Sequence, residues 1–176
     1  MLKRLACLMM LVGSVAVADE KPKVSIDQMK LAASVAASCS GFYDGTFALM
    51  QNLASRNELE GSALFKVWPR VNKRFVFRQS TASMLLTDIF IGQINQGFKP
   101  EPLLTLQTFT EDYVTQRKQS MAWVNGEMRN QQLSAKREQC EHVLLISKNN
   151  KTINDEMINR AVEQRAKALG LKMSEM

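Results

Sequence analysis

Apolar and small residues return at helical spacing along most of the chain. After Ser25, the positions Met29, Ala32, Ala33, Ala36, Cys39 and Ser40 recur at the period of an α-helix. Ser25-Ile26-Asp27-Gln28 has the form of a capping box, in which the Ser and Gln side chains each accept from a free backbone N–H. Together these predict a helix over residues 26–54. Gly41 and Gly45 weaken it locally. The small residues at 32, 33, 36, 37, 40 and 41 let a neighbouring helix come close. Phe42, Tyr43 and Phe47 give the helix its bulk.

Residues 55–61 read as a connection and 62–67 as a short helical piece. Pro69 then ends one element or opens the next, because proline suits the first turn of a helix and not its middle. A strong helical pattern covers 70–96. Val71, Phe75, Ala82, Leu85, Leu86 and Ile89 share one side of it, and Gly97 is its natural stop. Lys99-Pro100-Glu101-Pro102 is the clearest linker, read as a turn between helices within one domain. The pattern restarts as helix at 103–109, and Thr110-Glu111-Asp112 can cap a fresh start. From there to Ser147 one long helix is expected. Val114, Met121, Met128, Ala135 and His142 recur every seven residues, Val124 and Leu145 lie on the adjoining stripe, and Gly126 is the expected kink. After the polar turn 148–151, Asn154 caps a last helix over 155–168 that Gly170 ends. Its narrow apolar face holds Ile158, Ala161, Val162, Arg165 and Leu169. No convincing strand alternation interrupts this. The expected fold is an all-α, irregular bundle of about four to six helices over residues 19–176, stapled by one disulfide.

The first residues belong to a different pattern. Residues 1–4 are basic, 5–15 are largely apolar, and Ala16-Val17-Ala18 places small residues before Asp19. That is the layout of a cleaved secretory signal, residues 1–18, in a bacterial style that points to the periplasm. The apolar stretch falls well short of the roughly 20 residues needed to span a bilayer. Cleavage changes the composition. The whole chain has 176 residues, 23 bases, 17 acids and three Cys. Without Lys3, Arg4 and Cys7 it has 21 bases, 17 acids and two Cys, so its net charge falls from +6 to +4.

The two remaining Cys, Cys39 and Cys140, form an even pair in an oxidising compartment and are expected to bond. Their spacing fits neither a redox pair, a haem attachment nor a zinc site. His142 reads as a partly exposed helix residue. No nucleophile elbow, HExxH, phosphate loop or dinucleotide fingerprint occurs. Glu58 and Glu60 flank an apolar residue in a loop, and Glu111-Asp112 complements a helix start. No catalytic constellation, metal site or cofactor is expected from these residues.

One short segment concentrates the charge. Lys66, Arg70, Lys73, Arg74 and Arg78 fall within 13 residues without an acid among them. On a helical wheel Arg70, Lys73 and Arg74 face away from Val71 and Phe75, and Phe77 projects among the bases. Bases with an aromatic among them suit an acidic protein face, an anionic polymer or acidic headgroups. The competing reading has Phe77 covered by another helix while the basic heads reach for water. The expectation is an exported, non-enzymatic helical protein that binds a protein partner in the envelope in a regulatory, inhibitory or structural role. Its contact set is Lys66, Trp68, Arg70, Lys73, Arg74, Phe77 and Arg78. Two other readings stand beside it: a binder of anionic lipid or cell-wall polymer through the same segment, and a hydrolase with a dispersed site. Nucleic acid does not suit an exported chain of such modest charge.

Overall fold

A computed structural model describes residues 24–122 and 127–172. The expected signal at 1–18 and kink at Gly126 lie outside the described residues. Six α-helices and one 3₁₀ turn make up the fold, with no strand among the described residues: α1 (Ile26–Ser55), α2 (Ala63–Val67), α3 (Lys73–Phe98), the 3₁₀ turn (Leu106–Phe109), α4 (Thr110–Met121), α5 (Glu127–Asn149) and α6 (Asp155–Ala168). The all-α bundle is as expected. So is its staple, the Cys39–Cys140 disulfide, with both residues fully buried. No helix among the described residues is long and apolar enough to cross a membrane.

The 30-residue helix α1 is the axis of the molecule. The Ser25–Gln28 capping box closes its start, with hydrogen bonds of 2.8 and 3.2 Å. Its inner face is small where other helices cross and aromatic where they leave room. α3 and α4 both lie along it, and α6 packs on α3. At Gly41 the backbone of Tyr113 occupies the space a Cβ would need, and at Gly45 the backbone of Arg117 does the same, with Ser120 Cβ 2.7 Å away. These two glycines, which weaken a helix by propensity alone, are what allow α4 to dock. Phe42, Tyr43, Phe77, Met50, Leu64 and Leu86 fill the core.

Several expectations about boundaries and faces fail for local reasons. α3 starts at Lys73 rather than Arg70, because Asn72 caps it through Oδ1 to the Phe75 N–H at 2.8 Å. It runs through Gly97 to Phe98 and ends on Lys99, which takes the left-handed conformation at φ 47°. Residues 103–105 are not helical, because the Asn95 amide pairs both ways with the Leu104 backbone, at 2.8 and 2.9 Å. The single helix expected from Thr110 to Ser147 is two helices, α4 and α5, and its seven-residue stripe is misplaced. Met121, Ala135, His142 and Leu145 are exposed. The buried stripe of α5 is Leu133, Cys140, Val143, Leu144 and Ser147. The period was sound and the register was two residues out. Residues two apart lie about 200° apart on a helix, so Cys140 and His142 cannot both face inward, and the disulfide decides which does. Val124 and Met128 lie outside the residues whose side chains are described.

On α6, Asn154 caps as expected, with Oδ1 accepting from the Met157 N–H at 2.9 Å. Ile158, Val162 and Ala166 are buried there, whereas Leu169 is exposed.

Candidate functional site

The basic segment divides sharply between inside and outside. Trp68 is 8% exposed and Phe77 2%. Trp68 is the residue that closes α2, and its indole meets Tyr43 at 6.4 Å, Phe75 at 5.9 Å and the Arg137 guanidinium at 5.4 Å. Phe77 packs on Phe47 at 5.6 Å, and the Arg165 guanidinium lies over its ring at 5.1 Å. Neither aromatic is presented as a surface anchor, so the contact set expected from sequence loses both. Arg78 is also engaged: it donates to Asp155 at 2.8 Å and to Asn159 at 3.2 Å, tying α3 to the start of α6. Hydrogen bonds from Lys148 and Arg78 hold the Asp155 carboxyl below the usual carboxylate range.

What remains outside is a basic ridge. Lys66, Arg70 and Arg74 are exposed and Lys73 is half-buried. None of the four has an ion pair among the described residues. Lys73 and Arg74 are the first two residues of α3, and no acid occupies its first turn. A helix start carries the positive end of the backbone dipole, which favours acids and disfavours bases by about 0.3–1 kcal/mol each. α1, α4 and α6 follow the rule, with Asp27, Glu111 and Asp112, and Asp155 and Glu156 in their first turns. α3 breaks it with two cations, next to a third at Arg70.

A second polar constellation lies in the interior. Asp44 on α1 takes a hydrogen bond from Ser80 at Oδ1, 2.6 Å, and from Tyr113 and Arg165 at Oδ2, 2.7 and 2.6 Å. Arg165 also donates to Ser80 at 2.8 Å and to Thr81 at 3.3 Å. Asp44 is 8% exposed. Burial and the Asp44 charge push the Tyr113 hydroxyl up to about 12. Both oxygens of Asp44 are therefore occupied, and Tyr113 keeps its proton to hold one of them. A carboxylate so satisfied is a clasp joining α1, α3, α4 and α6 rather than a free base. The signal for it was an acid inside the apolar face of the first helix and a base on the apolar face of the last.

The remaining chemical candidates do not assemble. Glu58, Glu60 and His142 are exposed. No group of three metal-ligating side chains forms among the described residues. No family model, curated protein or solved structure matches this chain.

Proposed function

We propose that the chain is an exported, non-enzymatic helical protein of the bacterial envelope that binds the acidic face of a partner protein through Lys66, Arg70, Lys73 and Arg74. One observation carries this reading: three cations crowd the positive end of α3, with no acid in its first turn and no ion pair to them among the described residues. Folding gains nothing from that arrangement. An acidic partner would relieve it, and the long-range field would also speed the encounter.

Export is supported by the basic, apolar and small-residue order of residues 1–18 and by a buried disulfide, which suits an oxidising compartment. Intact-mass measurement of the secreted protein should give a chain beginning at Asp19 and two protons lighter than its reduced form. A mature chain that retains residues 1–18 contradicts export by cleavage.

The burial of Trp68 and Phe77 favours a second reading in one respect. Without an exposed aromatic the ridge offers charge alone, and anionic lipid or cell-wall polymer would satisfy it as well. A column of the mature protein separates these readings. A partner protein from envelope extract should be retained at low salt, elute as ionic strength rises, and be absent from a column of the Arg70→Glu, Arg74→Glu variant. Retention that ignores both charge reversal and salt contradicts the proposal. Equal binding to vesicles of anionic lipid, with no protein retained, selects the second reading.

A further inference from the structure

The protein has a second place where cations go unanswered, built from other residues. α4 and α5 both lie against α1, yet they do not pack closely on each other. The gap between them is a cleft of about 600 Å³. Gln116 and Gln119 line it from α4, and Arg129, Gln132 and Lys136 from α5, over a floor that includes Phe42. No carboxylate lines it among the described residues.

Lys136 is the unusual member. Its amine is half-buried and, among the described residues, donates to neutral acceptors, Ser38 Oγ at 2.8 Å and Gln139 Oε1 at 3.1 Å. Burial lowers its pKa to about 8, against a weaker opposing pull from Asp112 on α4. A half-buried cation without a paired carboxylate costs stability unless an anion arrives. The disulfide fixes this group in place. Ser38 adjoins Cys39, and Cys140 is one helical turn beyond Lys136.

The spacing narrows the ligand. Arg129 and Lys136 are two turns apart on α5, about 10 Å along the axis, with Gln132 between them. A point anion such as phosphate can meet only one end. An extended peptide advances about 3.3 Å per residue, so two acidic side chains on a short segment reach both. Each glutamine between them offers one acceptor and a donor pair, the match a peptide amide requires. We propose that the α4–α5 cleft binds a short acidic peptide in extended form. One carboxylate meets Lys136, a second meets Arg129, and the intervening backbone pairs with Gln116, Gln119 and Gln132. This site shares no residue with the ridge at the start of α3, and the proposal does not depend on the ridge.

The test is a titration of the disulfide-bonded mature protein with acetyl-Glu-Ala-Glu-amide, followed by NMR of the glutamine side-chain amides. Saturable shifts at Gln116, Gln119 and Gln132 are expected. Binding should weaken at least about tenfold for Lys136→Gln, for Arg129→Gln, and for the neutral peptide acetyl-Gln-Ala-Gln-amide. Arg74→Glu should bind like the wild type, which separates this site from the ridge. Arg129 is exposed, so Arg129→Gln keeps the test sound if the Lys136 variant folds poorly. No saturable shift up to roughly 10 mM peptide overturns the site. Equal binding of inorganic phosphate or glucuronate overturns the peptide assignment.

Discussion

Two of the helices that lie on α1, α4 and α5, are held there by opposite means. α4 is sealed to it. Gly41 and Gly45 remove the side chains that would keep the backbones apart, and Tyr113 reaches from α4 to the buried Asp44 clasp. α5 approaches α1 over a shorter stretch and is anchored by the Cys39–Cys140 bond. A close crossing leaves no room for a ligand. A covalent staple tolerates poor packing, so the stapled side can keep a cleft and a half-buried lysine that the sealed side would exclude. Stability was free to be given up on the side where the chain is tied by a bond rather than by shape.

That comparison breaks most visibly when the staple is removed. The bond closes a loop of 101 residues. The Cys39→Ala, Cys140→Ala variant should lose about 4 kcal/mol in denaturant unfolding, near the loop-entropy value. Hydrogen exchange should rise in α5 before α4. If α4 exchanges first, the assignment of anchors is reversed. Next comes the clasp. Asp44→Ala leaves Arg165 largely buried without its carboxylate and should cost about 3 kcal/mol. Gly41→Ala should cost about 2–3 kcal/mol by pushing α4 off α1. Gly92→Ala is its control. A Cβ there meets nothing within 4 Å, so that change should be neutral or gain up to about 1 kcal/mol from helix propensity. Similar losses at both glycines would mean the close crossing does not matter.

On the stapled side the expected sign inverts. Lys136→Met should stabilise the unliganded protein by roughly 1–2 kcal/mol at pH 7, because it removes a cation that folding desolvates. With a folded pKa of about 8, below the ordinary 10.5, the unfolded chain binds more protons between those values. Wild-type stability should therefore rise across that pH window, with the penalty in full below it, and the Met variant should lack the rise. The charged neighbours that bear on the comparison are Asp112 on α4 and Arg129 on α5. A wild-type curve that falls across the window contradicts the burial argument. The smallest effect belongs to the ridge. Arg74→Glu puts an acid at the start of α3 and should raise stability by a few tenths to about 1 kcal/mol.

Much of the fold was legible, because helices declare themselves through period and caps. Ser25 and Asn154 cap where the sequence says they should. The pairing of Cys39 with Cys140 followed from an even count. Faces and register were harder to read. The stripe through Met121 and His142 had the right period, and only the partner of Cys140 decides which side turns inward. The basic segment was visible as charge, but Trp68 and Phe77 carry no local sign of which helix covers them. That depends on Tyr43 and Phe47, more than 20 residues earlier. The cleft was not legible at all. It is a space between two helices, and a sequence records residues rather than the gaps between them.

The ridge is where the functional proposal stands or falls. A photoreactive amino acid at position 74 of the full chain, in living cells, probes it directly, with Lys66, Arg70 and Lys73 left in place. The expected product is a crosslinked protein with an acidic face. The crosslink should disappear when Lys66 and Arg70 are changed to Glu and persist in the Lys136→Met variant. A crosslink that survives the charge reversal, or adducts to lipid and polymer with no protein, would contradict it.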